Sequence, residues 1–101
     1  MYKIFLDDER ITPTYYNVRC FTAKEAIRVL SSGIPVDTIS LDHDLGDDEA
    51  GTGYDVLLWI EHQAYTNPYY RIPLIHIHTA NSSARQKMEM ARDQITYRKR
   101  K

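Results

Sequence analysis

The chain has 101 residues, of which 43% are hydrophobic and 27% are charged, and its formal net charge is -1. This composition is typical of one globular domain, excludes a disordered chain and gives no indication of an overall nucleic-acid-binding surface. Cys20 is the only cysteine, which excludes an internal disulfide and a cysteine-based zinc site and agrees with a reducing cytoplasm.

The N-terminal part of the chain is predicted to contain two strands and a helix. Tyr2–Leu6 is a short apolar strand that stops at four charged residues, too early for a signal peptide. Residues 11–17 contain a proline and two tyrosines and are predicted to form a loop, followed by a weaker strand at 18–21. Thr22 and Glu25 have the spacing of a capping box, so a helix starts there. Its apolar face consists of Ala23, Ala26, Ile27 and Leu30.

The middle of the chain is predicted to form a buried strand and a second helix. Apolar and β-branched residues run up to Leu41, and the strand should end at Asp42 because unpaired charges are costly in a sheet interior. Three further acids, Asp47, Asp48 and Glu49, belong to a solvated loop. A helix capped near Thr52 follows. Its inner face consists of Val56, Leu57, Ile60 and Ala64.

The C-terminal part is predicted to contain a fourth strand at 72–79 and a last helix. Asn81 and Ser82 supply caps for this helix, whose apolar face is Ala84, Met88, Ala91 and Ile95. Residues 98–101 form a basic tail, either a solvated end or a tether for phosphate. No apolar run in the sequence has the length of a membrane span.

Strands that alternate with helices predict a parallel sheet with right-handed crossovers. We expect an α/β, three-layer flavodoxin- or receiver-like fold over residues 1–97. It has a four-stranded, mainly parallel sheet in the order 2-1-3-4 and about three helices, and is cut short of a fifth strand and helix. The connection between the first two strands is shorter than a normal crossover. Either the first helix is reduced to a turn or the second strand is irregular.

Four acids follow the predicted first and third strands: Asp7, Asp8, Asp42 and Asp44. If these strands are neighbours, their carboxyl ends bring the acids together at the crevice where open parallel sheets bind ligands. A divalent cation relieves the repulsion between carboxylates, and oxygen ligands favour Mg²⁺, Mn²⁺ or Ca²⁺, of which we expect Mg²⁺ or Mn²⁺. The nearby His43 offers a nitrogen ligand, so a transition metal is an alternative to these cations. The alternative is that some of these acids only cap helices and solubilise loops.

Two histidines alternate with isoleucines in the predicted fourth strand, so His76 and His78 should share one face. His78 lies nearer the strand end and is a candidate general acid or base, with His43 as a second candidate. His76 lies two residues deeper, where a hydrogen-bonded core histidine is the alternative to a direct chemical role.

Several residues are candidate ligands for a phosphate group. Thr79 and Asn81 offer neutral hydrogen bonds, and the amides at the start of the last helix suit an anion. Arg10 and Arg85 are candidate phosphate clamps, although surface salt bridges explain them equally well.

These residues resemble the site of a receiver domain of two-component signalling. Asp7 and Asp8 resemble the acidic pair after strand one, Asp42 the phosphoacceptor aspartate, and Thr79 the hydroxyl residue after strand four. The chain departs from receivers because it ends before a fifth strand with its lysine, and because His-x-His precedes Thr79.

The chain is more similar to the cyclic-phosphate processing receiver domains, a small receiver-like family. The resemblance rests on the motifs at residues 6–10, 41–46, 53–55 and 76–81, in this order and across nearly the whole chain. It implies a role in metal or phosphate handling for Asp7, Asp8, Asp42, Asp44, His76, His78 and Asn81. It also implies a cytoplasmic setting in bacteria or in a phage-infected bacterial host.

Three functions are open at the level of the sequence. The first is a metal-assisted phosphoesterase that acts on a cyclic phosphate in a nucleotide or at an RNA end, with His78 as general base or acid. The second is a phospho-accepting signalling module with Asp42 as acceptor. The third is a non-catalytic binding module encoded by a phage. The expected partner is a small-molecule or RNA-terminal phosphate, and neither a membrane nor a specific DNA sequence.

Overall fold

The sheet has the predicted strand order. A computed structural model, which describes residues 1–100 with side chains as far as Tyr97, contains one four-stranded sheet in the order β2-β1-β3-β4. The strands are β1 (Tyr2–Leu6), β2 (Val18–Cys20), β3 (Val36–Leu41) and β4 (Leu74–Ile77), and all their pairings are parallel. The predicted receiver-like arrangement is therefore confirmed. The predicted basic tail at 98–101 lies outside the described side chains.

Three helices follow β2, β3 and β4 in turn: α1 (Ala23–Ser31), α2 (Gly53–Thr66) and α3 (Ser82–Arg100). Thr22 and Glu25 form the predicted capping box, and Thr52 forms another with Asp55. The Asn81 side-chain oxygen accepts the amide hydrogen of the third residue of α3 at 3.1 Å. Local capping chemistry therefore sets the helix starts. Within residues 1–100, no helix is long and apolar enough to cross a membrane.

The hydrophobic core lies on one face of the sheet. Ile4, Ile39 and Ile75 are paired across β1, β3 and β4, and all three are buried. Each helix packs its apolar face on this side, and α2 contacts both α1 and α3. The helix residues buried in this core are Ala23, Ala26, Val56, Leu57, Ile60, Ala64, Met88 and Ile95. All three helices therefore share one face of the sheet.

The opposite face is covered by the segment between β1 and β2, which contains no helix. The Phe5 ring lies 5.3 Å from the Tyr16 ring, centroid to centroid, and Phe5 is buried as a result. Asn17 accepts the Lys3 amide hydrogen through its side chain at 2.7 Å and donates its own amide hydrogen to the Lys3 carbonyl at 3.1 Å. Of the two sequence-based alternatives, the first helix is reduced to a turn. The third layer is thus a loop rather than helices.

Two strands are shorter than predicted. β2 ends at Cys20 instead of residue 21, and β4 covers Leu74–Ile77 instead of 72–79. Pro73 has no amide hydrogen to donate to the sheet, and after Ile77 the chain turns towards α3. An alternating apolar pattern marks a strand but does not mark where its ladder of hydrogen bonds stops.

Gly53, the first residue of α2, packs directly against the end of β3. A Cβ atom at this position would overlap the main-chain oxygen of Asp42 and would lie 2.9 Å from Met88 Cε. The Gly53 amide hydrogen is donated to the His43 carbonyl at 3.2 Å. Glycine is therefore required here for close approach of the helix to the acidic end of the strand.

We expect Gly53→Ala to lower the free energy of unfolding by about 3 kcal/mol, because the added methyl group forces α2 away from a main-chain oxygen. Gly33→Ala is the matched control: its φ of +92° is strained for alanine, but a Cβ there meets no atom within 4 Å. It should cost only ~1 kcal/mol. Urea unfolding followed by circular dichroism measures both, and equal losses would contradict the steric explanation.

Candidate active site

Three strand ends lie at the same level of the sheet. Leu6, Leu41 and Ile77 are aligned across β1, β3 and β4. The pairing continues for one more residue, because Asp42 donates its amide hydrogen to the Leu6 carbonyl and His78 donates to the Leu41 carbonyl, both at 3.0 Å. Side chains alternate along a strand, so the residues after this row point away from the helices. These residues are Asp7, Asp42 and His78.

Asp7 is a fully buried carboxylate. Its Oδ1 accepts the amide hydrogens of Glu9 and Arg10 at 2.7 and 2.8 Å. Burial acts to raise the pKa of Asp7, but these two bonds and the bond from His78 outweigh it, so the pKa lies below its ordinary value of 3.8. Arg19 donates two hydrogen bonds to the Asp7 main-chain carbonyl, at 3.0 and 2.7 Å. The site therefore contains an ionised carboxylate whose position is set by the surrounding backbone and by Arg19.

His78 is held by contacts on both ring nitrogens and on one ring face. Its Nε2 lies 2.9 Å from Asp7 Oδ2, and its Nδ1 lies 2.7 Å from Ser40 Oγ. The ring stacks on Phe5 with a centroid distance of 4.5 Å and an interplanar angle of 7°. Burial lowers the pKa of His78 and outweighs the opposing hydrogen bond and charge of Asp7. We therefore assign a neutral imidazole that donates its Nε2 hydrogen to Asp7.

The three strand-end residues have the donor set of a divalent cation site. Asp7, Asp42 and His78 each offer one ligand atom, and these atoms lie within 4.8 Å of one another. Asp42 is partly exposed, and its Oδ1 accepts the amide hydrogen of His43 at 2.8 Å. Two carboxylates and one imidazole suit Mn²⁺ and related metals better than an all-oxygen set does, and they also accept Mg²⁺. The residues present therefore fit such a cation.

A pocket of about 330 Å³ opens onto this cluster. Asp7 and Asp42 line it, together with four other residues singled out from the sequence: Asp8, Arg10, Asp44 and Thr79. The lining carries several acids and a single arginine, so its charge is strongly negative. A phosphate entering it would be repelled unless a cation were bound there.

Arg10 and Thr79 make specific contacts at the pocket. The Arg10 guanidinium donates through Nη1 to the His78 main-chain carbonyl at 2.9 Å, and its Nε lies 3.8 Å from Asp7 Oδ2. Its ion pair is thus with a site carboxylate rather than with a surface acid. Thr79 is buried, and its hydroxyl accepts the amide hydrogen of Asn81 at 3.2 Å.

The other candidate residues lie outside the pocket lining. His43 pairs through Nδ1 with Asp44 Oδ1 at 2.8 Å, Asn81 caps α3, and Arg85 donates to the Thr79 carbonyl at 3.3 and 2.7 Å. His76 is exposed, so it is not the buried core histidine considered as an alternative. It lies on β4, an edge strand that pairs only with β3 within the described residues.

Three residues that support the site were not predicted from the sequence: Phe5, Arg19 and Ser40. In the sequence, Phe5 does not differ from other apolar strand residues, because the histidine ring that stacks on it comes from a distant strand. Thr38 and Ser40 did carry a signal, because their hydroxyls alternate with apolar residues in a strand expected to be covered on both faces. A buried hydroxyl needs a partner, and for Ser40 that partner is His78.

Comparison with known proteins gives one family. The family model described as cyclic-phosphate processing receiver domain matches residues 2–94. Neither a curated protein nor a solved structure matches the chain. The matched residues extend from β1 into α3 and contain every candidate site residue.

We predict that the free energy of unfolding falls as the pH is lowered from about 7 to about 5 in the presence of a chelator. His78 has a lowered pKa in the folded state, so the unfolded chain takes up the proton first and is favoured below the ordinary value of 6.5. Asp7 adds no pH dependence to the free energy of unfolding in this range, because its carboxyl group is ionised in both the folded and the unfolded state well above pH 3.8.

Urea unfolding at both pH values measures this slope, and His78→Gln should flatten it by at most ~1.4 kcal/mol per pH unit. A wild-type protein that gains stability relative to His78→Gln as the pH falls would contradict the assignment. It would indicate a protonated imidazole paired with Asp7 instead.

Proposed function

Because the chain belongs to the cyclic-phosphate processing receiver domain family, we propose that it binds a cyclic phosphate at the Asp7–Asp42–His78 site and hydrolyses one ester bond of the ring. Water would attack phosphorus, one P–O bond would break, and the product would carry a phosphomonoester beside a free hydroxyl group. The observation that carries this proposal is the convergence of three potential ligand atoms within 4.8 Å.

The charge of the pocket supports a metal-dependent mechanism over a metal-free one. Five of the residues that line it are acids, Asp7, Asp8, Glu9, Asp42 and Asp44, against the one cation of Arg10. A bare pocket of this kind repels a phosphodiester anion. Mn²⁺ or Mg²⁺ would be held by Asp7, Asp42 and His78, with Asp8 and Asp44 adding negative charge nearby. Such a cation, when bound, polarises a phosphoryl oxygen and lowers the pKa of a bound water.

Arg10 and Thr79 are the candidate contacts for the phosphate oxygens. The side chain of Arg10 is 51% exposed at the pocket, and a guanidinium has five donor hydrogens, of which the His78 carbonyl takes one. Its charge would offset the negative charge that develops on the phosphoryl group. Asn81 and Arg85 lie outside the pocket lining and are not needed for this role.

His78 and His43 take different roles in this proposal. Nε2 of His78 lies among carboxylate oxygens, where it serves as a cation ligand and is not free to act as a base. Removal of a proton from the attacking water is then assigned to His43, which lies just outside the pocket lining and reaches it through Asp44, the lining residue that its Nδ1 pairs with. His76, exposed on the edge strand, has no part in the reaction.

The three histidines provide a direct test with 2′,3′- and 3′,5′-cyclic nucleotides and Mn²⁺ or Mg²⁺, the phosphomonoester product being measured by chromatography. We expect turnover of at least one of them by the wild-type protein and none with a chelator. His78→Gln removes a ligand atom and should weaken Mn²⁺ affinity and turnover by more than about 100-fold, the upper figure for residues that only orient a ligand. His43→Gln should keep Mn²⁺ affinity but lower kcat about 100-fold. His76→Gln is the matched control and should leave both unchanged.

A wild-type protein that binds Mn²⁺ but turns over none of these nucleotides would contradict hydrolysis. Two other functions then remain, and they differ in a measurable way. A non-catalytic binding module would show saturable nucleotide binding without product.

One observation favours a phospho-accepting module. Asp42, which follows β3, is partly exposed and lies beside the carboxylate of Asp7. The described residues contain no fifth strand to carry the lysine of a receiver. Acetyl phosphate would give this module a mass increase that Asp42→Ala removes.

A further inference from the structure

We infer that Ser40 is a positioning residue that holds the His78 imidazole with its Nε2 directed at the two carboxylates. The inference rests on the proposed cation site. It concerns a buried residue that contacts one of the three potential ligands of that site. Ser40 lies on β3 two residues before Asp42, on the face opposite the helices.

The contacts of the ring leave it little freedom. Ser40 Oγ lies 2.7 Å from His78 Nδ1, and Ser40 is only 3% exposed. Phe5 stacks against one ring face at 4.5 Å. The hydroxyl therefore constrains rotation of the ring about its bond to Cβ, and the stacking constrains its plane. Together they place Nε2 at 2.9 Å from Asp7 Oδ2.

The connectivity Ser40–His78–Asp7 is also that of a serine hydrolase triad, a function that the burial of the serine excludes. A nucleophile must reach the substrate, whereas the Ser40 hydroxyl is bonded to Nδ1 of the imidazole and the residue is only 3% exposed. The pocket that receives the substrate is lined by Asp7 and Asp42 and not by Ser40. Ser40 therefore acts through His78 and does not touch the reacting atoms.

A hydroxyl suits this position because it can donate or accept a hydrogen bond. In the metal-free protein, Nε2 donates its hydrogen to Asp7, so Nδ1 carries a lone pair and the Ser40 hydroxyl donates to it. A ligand nitrogen must offer its lone pair to a cation, so the imidazole hydrogen then lies on Nδ1 and Ser40 Oγ accepts it. The same serine therefore forms a hydrogen bond with Nδ1 in both tautomers of the imidazole. An alanine at this position could form neither hydrogen bond.

The test compares wild type with Ser40→Ala, with Ser40→Thr, which keeps the hydroxyl, and with Thr38→Val as the matched control. Thr38 is equally buried at 3% and lies on the same face of β3, but the hydrogen bonds of the His78 ring are with Ser40 and Asp7 and not with Thr38. Nitrogen-15 spectra of the imidazoles are recorded without metal at mildly alkaline pH. Mn²⁺ affinity is then measured by calorimetry for all four proteins.

In the metal-free spectra, we expect the His78 Nδ1 resonance to be that of a hydrogen-bonded acceptor in wild type, Ser40→Thr and Thr38→Val. It should move towards that of an unbonded nitrogen in Ser40→Ala. Mn²⁺ affinity should fall about 10- to 100-fold in Ser40→Ala alone, as for other residues that orient a metal-ligating histidine. A purely structural role would lower stability in Thr38→Val and Ser40→Ala without this difference in affinity.

The failures of the two proposals are distinguishable. An Nδ1 resonance that does not change in Ser40→Ala overturns the inference whatever the metal result. Equal Mn²⁺ affinity in wild type and Ser40→Ala overturns the role of Ser40 while leaving the cation site in place. A wild-type protein that binds no Mn²⁺ overturns the proposed function, and the role of Ser40 towards a cation with it.

Discussion

The register of three parallel strands is the constraint on which the candidate site depends. β1, β3 and β4 pair so that Leu6, Leu41 and Ile77 form one row in the core, and the backbone hydrogen bonds continue for one residue beyond it. A shift of one residue in either pairing would turn a site side chain towards the helices, because the side-chain period of a strand is two residues. The apolar row in the core and the polar row at the rim are therefore two consequences of the same pairing.

A buried carboxylate is costly, and the fold offsets this cost with specific contacts around Asp7. Two amide hydrogen bonds, the imidazole of His78 and the guanidinium of Arg10 surround its oxygens, while Arg19 holds its main-chain carbonyl. Removing any one of them leaves part of a buried charge uncompensated. The same contacts keep Asp7 ionised and in place, as the proposed cation site requires. Stability and site geometry are thus coupled in this part of the molecule.

The reduced first crossover shapes the face on which the site opens. Within residues 1–100, the three helices lie on one side of the sheet, and the loop between β1 and β2 lies on the other, where it covers Phe5 through Tyr16. Phe5 in turn supports His78. This chain of contacts could not be predicted from local patterns, because residues 11–17 have no periodicity that says what they cover. His76 is a second example: the alternating pattern predicted that it shares a face of β4 with His78, but its exposure follows from its place on the helix-free face of an edge strand.

The sequence by itself determined where the helices and strands form and at which strand ends the ionisable groups lie. Capping at Thr22 and Thr52, the helix periodicity of residues such as Val56 and Met88, and the acids after two apolar strands are properties of neighbouring residues. Only the tertiary structure decided which of the candidates meet. Asp7, Asp42 and His78 converge, whereas His43, Asn81 and Arg85 lie outside the pocket lining and are bonded to neighbouring residues. The reason is physical: strand pairing and the burial of Ser40 and Phe5 depend on contacts between residues far apart in the chain, and no local pattern encodes them.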